Sequence, residues 1–230
     1  MTLDAVAWEA LRLSLWVAVW ANVIAVPLAL WVAWILARCD FWGKALLNAA
    51  VHLPLVLPPV VTGYILLTLF SPAAPAGAAL KAIGLTLAFK WTGAVLAAIV
   101  MGFPLMVRAM RLAIEAVDPK LEEAASTLGA SRAHVFTRVT LPLIAPGILA
   151  GSVMGFAKAM GEFGATITFV ANIPGQTQTL PIAIWTALQI PGGEGPAAAM
   201  ALLSCAVALG AVLLSETLAR RVALRIGGSA

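Results

Sequence analysis

Two opposite charges, Lys158 and Glu162, stand in a stretch that is otherwise apolar or small: Gly155-Phe-Ala-Lys158-Ala-Met-Gly161-Glu162-Phe163-Gly164-Ala165-Thr166. Residues four apart share one helical face, so these two can pair. An unpaired charge at the centre of a bilayer costs at least about 2.5 kcal/mol, so in a membrane the pair either closes on itself or lines a wet cavity. Structural pairing and a place in a gate both remain open for Lys158, Gly161, Glu162, Phe163, Gly164 and Thr166. A second unusual stretch is His52-Leu-Pro54-Leu-Val-Leu-Pro58-Pro59-Val-Val-Thr62-Gly63-Tyr64. Its three prolines remove backbone donors and bend a helix. Irregular helix at membrane depth is tolerated where protein or a water-filled cavity covers the freed carbonyls. Pro54, Pro58, Pro59, Thr62 and Gly63 are therefore candidates for a translocation pathway, with a packed kink as the alternative.

Bond-making chemistry is not in view. Gly43-Lys44 is followed by Ala45 and lacks the earlier glycine, and no phosphate-cradling Gly-x-x-x-x-Gly-Lys-Ser/Thr occurs in the chain. ATP hydrolysis by that route needs a separate subunit, and this chain is not expected to be an enzyme. Cys39 and Cys205 lie far apart, which makes neither a metal site nor a disulfide framework. Arg38 sits where a lipoprotein cleavage box needs a small residue, so Cys39 reads as a plain structural cysteine. No metal and no cofactor are expected on this chain.

The elements that position these residues follow from composition. Of 230 residues, 62% are hydrophobic and 10% charged, whereas a soluble domain carries roughly 25% charged residues. Lipid must solvate most of the surface, and the apolar runs cover the whole chain, so residues 1–230 read as one all-α transmembrane domain. About 20 apolar residues cross a bilayer. Leu13 to Ala37 gives a first span; acidic Asp4 and Glu9 precede it rather than a basic segment, so it reads as retained rather than as a signal peptide. Further spans are expected near 46–70, from Trp91 through Val107, from Val139 on to about Phe169, and from Gly195 to Ser215. Residues 176–192, broken by Pro181 and Pro191, suggest an interfacial or re-entrant helix on the outer side, with a full sixth span as the alternative.

Orientation comes from Lys and Arg in the connections. One side holds three cations, Arg12, Lys81 and Lys90. The other holds ten: Arg38, Lys44, Arg108, Arg111, Lys120, Arg132, Arg138, Arg220, Arg221 and Arg225. With five spans, this places the N-terminus outside and the C-terminus in the cytoplasm. The net charge of +4 is then explained by cytoplasmic loops, and nucleic-acid binding is not expected.

The longest charged connection, 108–138, falls on the cytoplasmic side. Asp118 is suited to an N-cap and Pro119 to the first helical position. Leu121, Ala124, Ala125 and Leu128 recur at i, i+3, i+4 and i+7 and form one apolar face. Gly129 can take the left-handed turn that ends the helix. Ser131 can cap a second short helix through Arg138, and Pro142 opens the next span. Upstream of Lys158, Gly147, Gly151 and Gly155 form overlapping GxxxG patterns that let another helix approach.

The series Glu123-Ala124-Ala125, three residues, Gly129, nine residues, Val139, one residue, Leu141-Pro142 resembles the cytoplasmic signature loop of ABC import permeases. The proline-rich second span, the Gly-Glu-Phe-Gly-Ala-Thr run and Asn172-Ile-Pro174-Gly-Gln-Thr-Gln-Thr-Leu-Pro181 further resemble the molybdate branch of that family. The resemblance implies a type I importer permease fold, with the loop at 115–142 docking on a nucleotide-binding subunit. It implies a pore made with a second copy of the chain, two ATP-binding cassette subunits carrying ATP and magnesium, and a molybdate-binding protein outside a bacterial cytoplasmic membrane. Tungstate, sulfate or another oxyanion is the alternative cargo. An ion-coupled secondary transporter or channel is the alternative class.

Overall fold

The computed structural model describes residues 5–227, and among them only helices and turns occur. In chain order the helices are α1 (Ala5–Arg38), α2 (Lys44–Val56), α3 (Pro59–Phe70), α4 (Pro75–Ala82), α5 (Trp91–Glu115), α6 (Pro119–Thr127), α7 (Arg132–Val135), α8 (Leu141–Met160), α9 (Gly164–Val170), α10 (Leu180–Leu188) and α11 (Glu194–Gly227); a π-helical turn, Phe136–Thr140, joins α7 to α8.

In lipid there is no hydrophobic drive between helices, so they associate where small residues let backbones come close. The chain is built that way. Along α1, Ala7, Ala10, Ser14, Ala18, Ala21, Ala25, Ala29 and Ala33 recur at three- and four-residue steps and are all buried. Trp8, Trp16, Trp31 and Val23 point outward from the same helix. On α8, Gly155 lies against Gly102 of α5, where a Cβ added to Gly102 would stand 3.5 Å from the Gly155 Cα. A Cβ on Gly151 would stand 3.2 Å from the Met106 carbonyl oxygen, and one on Gly147 would collide with Ala113. The glycine triplet read from the sequence is thus the surface on which α8 and α5 meet.

These contacts fix direction. Trp16 near the start of α1 lies 6.3 Å from Trp91 at the start of α5, and Arg38 at the end of α1 reaches the Val117 carbonyl just past α5. The two helices are parallel, while the order of the glycine contacts makes α8 antiparallel to α5. Residues 39–90 must therefore carry the chain back from one end of the bundle to the other. They do so through α2, anchored beside α5 by Asn48 Oδ1 accepting from Arg111 Nη1 at 3.2 Å, and then α3, which packs on α9.

α1, α5, Arg132–Met160 and α11 are long and apolar enough to cross a membrane, and α2 and α3 qualify only when taken together. The second span expected near 46–70 is broken: its halves meet at 114° across Leu57-Pro58. The fourth does not run on to Phe169. It stops at Met160, because Gly161 caps it and the Glu162 carboxylate takes the Ala165 N–H at 2.9 Å to begin α9. The second loop helix does not end at Arg138 before the span either. The π turn carries it into α8 without a break, so Pro142 lies in the first turn of α8 rather than at a fresh start.

Residues 176–192 hold only the nine-residue α10, about half the length a crossing needs. On one face α10 buries Leu180, Ile182 and Ala183, while Trp185 and Leu188 are exposed. The Leu180 N–H donates to Ser14 Oγ of α1 at 2.7 Å. Thr177 knots the preceding turn by accepting from the Ile173 N–H and donating to the Ala171 carbonyl, both at 3.0 Å. The side chains of Arg220, Arg221 and Arg225, part of the charge bias, lie outside the described residues.

Gly151→Leu should force α5 and α8 apart at a backbone contact and destabilise the protein by about 1–3 kcal/mol. A Cβ on Gly161 would meet only the Ala157 carbonyl, at 3.6 Å, so Gly161→Ala should leave the melting temperature in detergent near wild type. Thermal unfolding of both variants by tryptophan fluorescence checks the pair.

Candidate coupling loop and pathway

Asp118 Oδ1 accepts from the Lys120 N–H at 3.0 Å, and Pro119 fills the first helical position of α6. At the other end Gly129 has φ +85°, a conformation that L side chains disfavour. The Ala130 N–H returns to the Ala125 carbonyl at 3.2 Å and the Gly129 N–H to the Ser126 carbonyl at 3.0 Å. This pair of bonds is the Schellman arrangement, which satisfies carbonyls a helix end otherwise leaves open. A Cβ on Gly129 would meet nothing within 4 Å, so glycine is required there for φ alone. Ser131 Oγ then accepts from the His134 N–H at 3.4 Å and starts α7.

The short helix α6, capped at both ends, leaves much of its apolar face uncovered by the described residues. Leu128 is 88% exposed and Leu121 49%, with Ala124 and Glu123 exposed and Ala125 half-buried. Past the bend, Val139 is half-buried in the π turn, and Leu141 packs on the cluster formed by the ends of α1, α5 and α8. Pro142 follows it. The loop thus has an outer face free for a partner and an inner end rooted in the bundle.

Glu122 supplies much of that root, and the sequence pattern gave it no role. Its Oε1 accepts from Thr140 Oγ1 at 2.7 Å and lies 3.3 Å from Arg38 Nη2. Thr140 is fully buried, and the Arg38 guanidinium stands 5.9 Å over the Trp34 ring, which meets Phe136 edge-on at 5.1 Å. An acidic residue beside a helix start reads from sequence only as a dipole partner. The charged residues Glu122 and Arg38 lie 84 positions apart, and no local spacing connects them. Nearby, a hydrogen bond from Lys44, with the lysine's charge, holds the Asp40 carboxyl below its usual range.

The two stretches proposed for the pathway meet each other. A Cβ on Gly63 of α3 would stand 2.5 Å from the Ala165 carbonyl and 2.9 Å from Thr168 Cβ, and one on Gly164 would stand 2.8 Å from Pro59 Cβ. Thr62 and Thr166 are buried in these helices. Pro58 and Pro59 are exposed at the break, whereas Pro54 sits within α2 on the other side of the bend. Lys158 Nζ lies 2.7 Å from Glu162 Oε2, with Glu162 only 2% exposed and Lys158 29%. One carboxylate thus pairs with the cation through one oxygen and starts α9 through the other. Phe163 stacks obliquely on Trp185 at 5.9 Å, and Gly161 is exposed at the end of α8. Among the described residues no group of three or more His, Cys, Asp or Glu side chains converges as a metal site.

The bundle presents, beyond the ends of its candidate spans, a capped loop helix with an exposed face. The chain belongs to the family described as "Binding-protein-dependent transport system inner membrane component", which it matches over residues 25–224. It is therefore a multi-pass membrane transport subunit and not an enzyme. It is 56% identical over 214 residues, 93% of each chain, to the "Molybdenum transport system permease protein ModB" of Escherichia coli (strain K12). It is 35% identical over 186 residues, 81% of this chain and 65% of the relative, to the "Probable sulfate transport system permease protein cysT" of Chlorokybus atmophyticus. Its fold is similar to that of a bacterial ABC transporter involved in the import of the acidic polysaccharide alginate, with a TM-score of 0.75 and 21% identity over 95% of this chain and 80% of that one.

Removing one member of a buried ion pair leaves the other uncompensated and costs about 3–5 kcal/mol, whereas replacing both is far milder. Lys158→Met and Glu162→Gln should each lower the melting temperature in detergent more than the double variant does. An additive double variant would show that the two side chains act independently.

Proposed function

We propose that this chain is the membrane-spanning permease subunit of an ATP-driven importer for molybdate. In this reading two copies form the pore. Two ATP-binding cassette subunits dock on the loops at 115–142 from the cytoplasm and carry the ATP and magnesium. A binding protein outside the membrane delivers the oxyanion. The N-terminus is outside and the C-terminus cytoplasmic, with five crossings counting α2–α3 as one.

The observation that carries the coupling half is the exposed face of α6. A helix held by a side-chain cap and a glycine turn keeps its shape when loaded. Leu121, Ala124 and Leu128 offer it an apolar contact, with Glu123 as a polar anchor. Because α7, the π turn and α8 are continuous, a displacement that reaches α7 is delivered to the span as a rigid-body push. The chain has no nucleotide-cradling loop of its own, so the energy must arrive through this contact.

The cargo half is supported by the identity to a molybdenum permease being well above that to a sulfate permease. The pathway side chains agree with cargo chosen elsewhere. Lys158 is neutralised by Glu162, so the α8–α9 break offers an anion no free cation. A conduit must let its cargo leave, and a weakly interacting wall serves that end. Selection then falls to the binding protein, with sulfate as the competing reading and tungstate as a passenger.

Reconstitution with the ATPase subunit and the molybdate-binding protein should give ATP-dependent molybdate uptake that a large excess of sulfate does not suppress. Equal competition by sulfate at the binding-protein step would refute the cargo assignment. Gly129→Pro, which cannot adopt the positive φ, and Glu123→Arg should each leave membrane insertion intact while uncoupling ATP hydrolysis from uptake. Normal coupled uptake in both would overturn the role of the loop.

A further inference from the structure

We infer that Arg38, Glu122 and Thr140 form a positioning clamp that delivers the movement of α6 to α1 and α8 together. This rests on the proposal that α6 docks on an ATPase subunit. It concerns different side chains, on the opposite side of the loop from the docking face.

The need for such a device follows from how α6 is attached. Its covalent connections run through the turn at Val117-Asp118 and the glycine turn at 128–130, where a displacement can dissipate as backbone rotation. A side-chain link across the loop removes that slack. Glu122 Oε1 provides one by binding two groups at once, Thr140 Oγ1 at 2.7 Å and Arg38 Nη2 at 3.3 Å. Thr140 is the last residue before α8, and Arg38 is the last residue of α1. Arg38 Nη2 also reaches the Val117 carbonyl at 3.4 Å, beyond the end of α5. A single carboxylate oxygen therefore ties the docking helix to the roots of two spans, and the arginine adds a third.

The surroundings make this link stiff. Thr140 is fully buried, Glu122 and Arg38 keep only 22% and 21% of their side-chain surface, and water has little access to compete. Charge-assisted hydrogen bonds are the stronger kind. The guanidinium is held over Trp34, and Trp34 is braced by Phe136 of the π turn. A π turn is rare and frequently marks a functional position, and here it presents Phe136 to Trp34 near the end of α1 and Thr140 to Glu122 of α6. The two neighbouring glutamates divide the work: Glu123 faces outward, and Glu122 faces the bundle.

The test uses the full complex in proteoliposomes with its ATPase subunit and molybdate-binding protein, reading molybdate taken up per ATP hydrolysed. Glu122→Gln, Arg38→Met and Thr140→Val should each retain the ATPase subunit on purification and hydrolyse ATP. Uptake per ATP should fall about tenfold, within the range that residues along a coupling route can command. Thr140→Ser keeps the hydroxyl and should remain near wild type. Leu128→Glu, on the docking face, separates this clamp from the docking proposal by abolishing retention of the ATPase subunit. If Leu128→Glu dissociates the complex while Glu122→Gln and Thr140→Val couple as wild type, the clamp is refuted and docking stands. If Leu128→Glu retains a fully coupled ATPase, the docking proposal itself fails. Loss of uptake only in proportion to lost protein or lost ATPase subunit would also overturn the clamp, since it would show a role in folding alone.

Discussion

Inside a bilayer no water is available to a backbone carbonyl released from its helix, and the interruptions in this chain are placed under that constraint. The break at Leu57-Pro58 is followed by Pro59 and Gly63, which lie directly against α9. The break at Gly161 is followed at once by a carboxylate that captures the Ala165 N–H. The turn before α10 has Thr177 bonded on both sides and Ser14 accepting from Leu180. Each irregularity is matched by protein within a few residues, and this allows a bundle so rich in proline and glycine to hold one shape.

The same constraint explains why small residues dominate the contacts. Without water to expel, helices gain by close approach, so alanine along α1 and glycine along α8 set the spacing around α5. Tryptophans such as Trp8, Trp16 and Trp31 lie outside, while Phe169, Met106 and Met110 fill the interior. Two kinds of unpaired surface result: the apolar flanks of the long helices, which lipid can cover, and the face of α6, which lies beyond the spans.

Function then follows from the stiffness of the loop. The loop is capped, bonded and continuous with α8, and Glu122 roots it in α1 as well. At the far end of α8, Pro59 and Gly63 of α3 lie closely against Gly164 and Ala165 of α9, and Leu66 and Phe169 of the same two helices share one buried cluster. A stiff input joined to a close contact between two broken helices suits a subunit that is moved by its partner. Lys158 and Glu162 pair with each other inside the bundle.

Local chemistry made much of this legible in the residues alone. Composition required lipid, Asp118 and Gly129 bounded α6, and the glycine triplet announced a close helix contact. These features depend on neighbours within about a turn of helix, which sequence spacing encodes directly. Tertiary structure decided what depends on distant partners. It broke the second span through 114°, ended the fourth at Met160 instead of Phe169, buried one face of α10, and brought Gly63 to Ala165 from the other side of the chain. Above all it chose between adjacent glutamates. Glu123 carries the recognisable pattern, yet Glu122 holds the loop to the bundle, because Arg38 and Thr140 reach it only once α1, α6 and α8 have packed.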